Sequence, residues 1–311
     1  MPLLHKVVYK LSSRGWRGTR FLWRLVKLLK KVPTGLVRLP TGFVLTSNEK
    51  DFTSKAIYEG FYENGINKML NLLGTRHRFV DVGANIGLLS FSATKKTKQS
   101  PIAFEPIKRN SDQLKLNFGA MGRDIEVHEI AIAECEGTAA IYGSDNLAHS
   151  GSASLIHSAL SKFGSRNVRT TTLDNILNEF DDNGFFLKID CEGAELKVLE
   201  GAFKLISSGR VKAALIEFSP RSELNSYFKF LLRKIPPPVE AYIVRESIRI
   251  FKRVTILKLI DPEGLNSLES LENIIFVSGE DLYCLKRLLK KTKDFDTFLL
   301  NSAKGCGQCK S

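Results

Sequence analysis

No run of about 18 uncharged apolar residues occurs in this chain, so no membrane-spanning helix is expected. The apolar stretches near the N-terminus are broken by Arg and Lys every few residues, so that region is not expected to act as a signal peptide. Cysteine is scarce: five residues, Cys135, Cys191, Cys284, Cys306 and Cys309, in 311. An odd, sparse set argues against a disulfide framework and for a reducing, cytoplasmic setting. No repeat or low-complexity tract is present. No His pair or Asp-rich run has metal-ligand spacing, so no metal site is assigned. The Cys306-Gly-Gln-Cys309 pair lacks the second pair that a zinc site would need.

Acidic residues are missing from the first 48 positions. Residues 1–48 hold ten Lys and Arg and no Asp or Glu, within a net charge of +13. The remainder is close to balance, unlike an enzyme that carries basic charge across its active-site domain to hold nucleic acid. Within that basic region, residues 19–32 have helical apolar spacing at Phe21, Leu22, Leu25, Leu28, Leu29 and Val32, with Pro33 as a stop. Arg20, Arg24, Lys27 and Lys31 fall mostly on the other side. The pattern suits a helix packed on the main domain, or peripheral membrane contact through residues 1–33 at the inner face of the membrane.

Of the apolar residues, 43% of the chain, many occur in an alternation of strand and helix. A hairpin is expected over 36–46 and a helix over 54–73. Strands are expected at Arg78–Val82, Ser100–Phe104, Ile125–Glu129, Phe185–Ile189 and Ala213–Phe218. Helices fill 87–97, 109–119, 174–180 and 194–208. Three strand-like runs follow Pro236-Pro237-Pro238, at Glu240–Val244, Val254–Leu259 and Asn273–Val277, before a basic helix over 281–293.

The loop after the first core strand reads FVDVGANIG, Phe79–Gly87. Gly83 permits a tight turn, Asn85 tolerates a left-handed conformation, and Gly87 opens the next helix with its N–H groups facing a ligand. Asp81 and Ala84 complete the loop's candidate contacts, Asp81 as the charge for a sulfonium or an ammonium. Glu105, in IAFEP, stands 24 residues after Asp81 at the next strand end, where an acid can accept from both ribose hydroxyls. A dinucleotide loop would read G-x-G-x-x-G. The glycines at 83 and 87, with Asn85 between, favour S-adenosylmethionine. Ala131 and Ile132, after the third strand, are candidate walls for its adenine.

The segment LKIDCEGAE gathers Asp190, Glu192 and Glu195 at the fourth strand's end, and Glu217 closes the fifth in LIEFS. A hydroxyl acceptor must lose its proton as the methyl arrives, so a nearby base is needed. Asp190 and Glu217 lead the candidates, followed by Glu192 and by His149 in the polar loop DNLAHSGSAS. Lys188 would have to point inward to matter, and Glu195 and Glu192 could instead serve the turn.

Seven motifs occur in order: EGFYE (59–63), FVDVGANIG (79–87), AFEP (103–106), TTLD (171–174), LKIDCEGAE (187–195), VLEGA (198–202) and LIEFS (215–219). Over roughly residues 40–220 the chain resembles the FkbM-type methyltransferases. Cys191 stands where that pattern usually has valine or similar. The resemblance implies a Rossmann-like class I methyltransferase domain over 36–280, with a mostly parallel seven-stranded sheet and an antiparallel final strand. A basic extension (1–35) precedes it, and a C-terminal helix and tail (281–311) follow. It also implies S-adenosylmethionine-dependent O-methylation of a sugar, glycan or small-metabolite hydroxyl. Two rivals remain open. One is a non-catalytic membrane- or partner-binding protein on this fold. The other is an RNA methyltransferase, disfavoured because an acidic acceptor side repels phosphate and no Asn/Asp-Pro-Pro-aromatic motif follows the fourth strand.

Overall fold

The computed structural model of the chain describes residues 3–29, 35–47, 51–62, 76–143, 164–218, 222–249, 252–260, 272–291 and 295–298, apart from positions 15, 17 and 98. It also describes Ile66, Asn67, Leu70 and Leu155.

Five strands form a parallel core: β3 (Arg78–Val82), β4 (Ile102–Phe104), β5 (Glu126–His128), β9 (Phe185–Ile189) and β10 (Val211–Phe218). Their spatial order is β5-β4-β3-β9-β10. Next to β10, and antiparallel to it, lies β13 (Glu272–Ser278), followed by β11 (Val239–Arg249). These are the seven strands the sequence implies, with the last in chain order inserted antiparallel before the sixth. Two more, β12 (Lys252–Ile260) and β14 (Phe295–Phe298), extend that edge. A small second sheet, not expected from the sequence, orders β6 (Ala131–Ile132), β8 (Ser165–Thr171) and β7 (Gly137–Tyr142).

The central strands are buried on both faces, as parallel strands covered by helices must be. Alternation then sends neighbours to opposite sides. Val80, Leu187 and Ile216 join one core cluster, while Phe79, Phe186 and Leu215 join the other. The crossover helices are α4 (Leu88–Thr94), α5 (Lys108–Ala120), α6 (Leu173–Leu177), and α7 (Glu195–Glu200) with α8 (Phe203–Ser207). The sequence reads α7 and α8 as one helix over 194–208. It breaks at Gly201, whose backbone lies so close to the Ala133 carbonyl that a Cβ would overlap it. The last helices are α9 (Ser222–Lys234) and α10 (Gly279–Lys291).

At the N-terminus, α1 (Leu3–Ser13) and α2 (Thr19–Leu29) precede the hairpin β1–β2 (Gly35–Arg38, Val44–Ser47) and α3 (Phe52–Glu59). Asp51 caps α3 by accepting from Ser54 N at 2.7 Å. Gly60 takes φ 76° and ends it, so the helix expected over 54–73 is interrupted after Glu59, and Ile66, Asn67 and Leu70 are helical again. Val8, Tyr9 and Trp23 sink into one cluster with Ile57, Tyr58, Ala84 and Ile86. Trp23 Nε1 donates to Ser12 Oγ (2.8 Å) and Glu59 O (3.1 Å), tying α1, α2 and α3 together. The apolar stripe read from the sequence therefore shifts. Trp23 is the buried apolar side chain among the described ones of α2, whereas Phe21 and Leu25 face outward.

Candidate active site

Ligands in open α/β sheets bind beyond the carboxyl ends of the strands, where the strand order reverses. Here that point lies between β4 and β3 on one side and β9 and β10 on the other. Gly83 N and Ala84 N both donate to Phe104 O (3.0 and 3.2 Å), and Asp190 N donates to Val82 O (3.2 Å). The three strand ends are thus joined at their tips. Gly83 has φ 77°, and a Cβ there would collide with the Asp190 carbonyl. The glycine is needed for contact between two strand ends rather than for room around a ligand.

Two clefts open from this edge. The first is lined by Glu105, Ile107, Asn110, Ala131, Ile132, Ile141 and Leu155, among others. The second is lined by Phe52, Thr53, Ile57, Tyr62, Ala84, Leu88, Lys188 and Glu217, among others. Gly83, Asn85, Asp190 and Glu192 border both.

Glu105 is a buried carboxyl group on the first cleft. Its Oε2 accepts from Asn85 N and its Oε1 from Ile107 N, each at 2.9 Å, with Asn110 Nδ2 at 3.4 Å. Burial pushes its carboxyl up to about 7 against the opposing pull of those donors. Asn85 adopts φ 49°, the left-handed conformation that its position in the loop predicts. Ala131 and Ile132, on β6, supply apolar wall. The small sheet positions Ile141, and Leu155 packs against the cluster that Ile141 forms with Ala131 and Val168; sequence reasoning missed both. Neither is near the motifs in sequence, and β7 pairs with β8 rather than with the main sheet.

Two loop residues stand elsewhere than expected. Asp81 is fully buried, reaches neither cleft, and accepts from Ser90 Oγ at 2.6 Å. Its other oxygen lies 3.2 Å from Lys188 Nζ. Lys188, on the adjacent strand, does point inward. It donates to Gly83 O at 2.7 Å and lies 3.5 Å from Asp190 Oδ2. Asp81 therefore touches Lys188, which in turn touches the loop at Gly83. Gly87, with φ 86°, also stays out of both clefts. A Cβ there would press on Leu114 and Phe118 of α5 at 3.0 Å.

On the acceptor side the acids divide by environment. Glu195 is buried, and its Oε1 accepts from Cys191 N (3.1 Å) and Gly193 N (2.9 Å), so it holds the turn after β9. Glu192 sits in that turn at φ 54°, an unusual conformation for a side-chain-bearing residue, and it lies at the border of the clefts. The cleft walls, then the carboxylates of Asp190 and Glu195, raise its carboxyl to about 7. Glu217 is pushed up to about 9 by burial and by Asp190, with which it shares a hydrogen bond. The two leading base candidates therefore form a pair that shares a proton at neutral pH. Burial raises the Cys191 thiol well above its ordinary range, leaving it a poor nucleophile. His149 lies outside the described residues.

This combination decides the family. A strand-end acid facing an apolar cleft, a left-handed loop and a second, acid-lined cleft accompany a match of residues 81–242 to the methyltransferase FkbM domain model. The chain belongs to the FkbM methyltransferase family. No curated protein matches it. Among solved structures it is similar to a precorrin-6y C5,15-methyltransferase from Geobacter metallireducens GS-15. That pair shares 11% identity over 75% of this chain and 93% of that one, with a TM-score of 0.38. It is also similar to the magnesium protoporphyrin IX methyltransferase of Synechocystis PCC 6803 with bound SAM. The identity is 9%, over 75% of this chain and 86% of that one, with a TM-score of 0.38. A putative RNA methyltransferase from Pyrococcus horikoshii shares 14% identity, over 71% and 85% of the two chains, with a TM-score of 0.34.

This FkbM methyltransferase is S-adenosylmethionine-dependent. The residues present fit that cofactor: Glu105 offers two carboxylate oxygens for a diol, and Ala131, Ile132, Ile141 and Leu155 offer apolar wall for a base. Gly83, Ala84 and Asn85 lead from there to the second cleft. The cofactor supplies an electrophilic methyl group on a sulfonium. What the chain's own residues add is position.

Proposed function

We propose that the chain O-methylates a hydroxyl group of a sugar, glycan or small metabolite. The observation that carries this reading is the Asp190–Glu217 pair on the second cleft, beside the loop shared with the first. A hydroxyl is a weak nucleophile until its proton leaves, and Asp190 is the group to receive it. Glu217, hydrogen-bonded to Asp190, shares a proton with it and so limits the repulsion that two carboxylates would otherwise feel. Lys188 holds Asp190 from the opposite side. The negative charge that the Asp190–Glu217 pair retains on this cleft also disfavours a nucleic acid, whose phosphates it would repel.

The test is methyl transfer from labelled cofactor to separate panels of hydroxylated compounds, amines and RNA. Transfer is expected to the hydroxyl panel alone. Asp190→Asn should lower turnover by about 10²–10⁴-fold while calorimetry still detects cofactor binding. Transfer to RNA or amines only, or full activity in Asp190→Asn, would overturn the reading.

A further inference from the structure

The helices α1 and α2 each bury one side and leave the other without a packing partner among the described residues. On α1 the buried residues are His5, Val8, Tyr9 and Ser12; on α2 they are Thr19 and Trp23. The outward sides carry large apolar side chains that the fold does not use. Leu4 is 49% exposed, Val7 47%, Phe21 62% and Leu25 40%. Beside them, also exposed, stand Lys6, Lys10, Arg14, Arg20 and Arg24. Because both helices bury into the same cluster, both outward sides turn away from the domain together.

We propose that this two-helix face docks the protein on an anionic membrane surface. The charge argument selects the occupant. All the charges of residues 1–48 are positive, which matches a sheet of anionic headgroups. Phe21, Leu25, Leu4 and Val7 need an apolar phase beside that charge, and the acyl boundary of a bilayer supplies it. A nucleic acid would satisfy the basic residues and leave these four in water. Each helix is about 16 Å long, and among the described residues no helix is long and apolar enough to cross a membrane. The contact is therefore interfacial.

The experiment is co-sedimentation of the full chain with vesicles of phosphatidylcholine alone, and of phosphatidylcholine with phosphatidylglycerol, at low and high salt. Binding is expected only with phosphatidylglycerol and should weaken with salt. Arg20→Gln with Arg24→Gln should weaken partition by roughly thirtyfold, and Phe21→Ser with Leu25→Ser by at least tenfold. All four side chains are exposed, so cofactor binding by calorimetry should be unchanged in both variants and reports that they fold. No partition, equal partition into neutral vesicles, unchanged partition in the variants, or tighter binding to a single-stranded RNA than to anionic vesicles would each overturn the proposal. None of these outcomes bears on the acceptor.

Discussion

Two carboxylates at adjacent strand ends do different work because their surroundings differ. Asp81 is closed off and faces Lys188 and Ser90; Glu105 lines a cleft. The raised value of Glu105 makes cofactor binding pH-dependent. A diol that donates to the carboxylate favours its ionised form, so the bound state has the lower pKa and binding releases a proton. Affinity is full above the free value of about 7 and is lost as pH falls through it. Calorimetry should show up to tenfold weaker binding at about pH 6 than at about pH 8, and Glu105→Gln should be both weaker and flat with pH. Glu192 supports a second expectation at this scale. Its left-handed backbone costs a side-chain-bearing residue about 1–2 kcal/mol, and its carboxylate is repelled by two neighbours. Glu192→Gly should raise stability in denaturant titrations by up to about 1 kcal/mol while lowering turnover of the acceptor.

At the scale of elements, periodicity was legible wherever one helix face or one strand alternation dominated. The five parallel strands start and stop within two residues of their expected places, because buried runs bounded by Gly and Pro leave few alternatives. Boundaries set by remote backbone contact were not legible. Nothing local to Gly201 announces that it meets Ala133, yet that meeting splits α7 from α8. Gly201→Ala should cost about 2–3 kcal/mol, read as a fall in melting temperature, since the obstacle is a backbone carbonyl that cannot rotate away. The same limit applies to α2. Its spacing made the helix readable, but Trp23 is the largest side chain available and the α1–α3 groove chose it for burial, leaving Phe21 and Leu25 outside.

For the molecule as a whole, the two ends of the sheet divide the labour. The carboxyl ends carry the clefts, and the opposite ends carry fastening contacts. There Arg78 pairs with Glu126 (2.7 Å) and Asp182 (3.2 Å), donates to Ser100 O (3.3 Å) and stacks on Phe180 at 4.6 Å. Arg78→Ala should lower stability by about 2 kcal/mol. Its kcat and KM, measured below the melting transition, should match those of the parent. Sequence alone determined the strand order's raw material, the left-handed loop positions and the strand-end acid, because these depend on local backbone preference and periodicity. It also carried the ordered motifs by which the family was recognised. Tertiary structure alone decided that Asp81 is shut away, that Lys188 turns inward, that Glu217 and Asp190 form one hydrogen-bonded pair, and that a small sheet walls the first cleft. Each of these depends on desolvation and on partners brought from distant segments, which no stretch of sequence contains by itself.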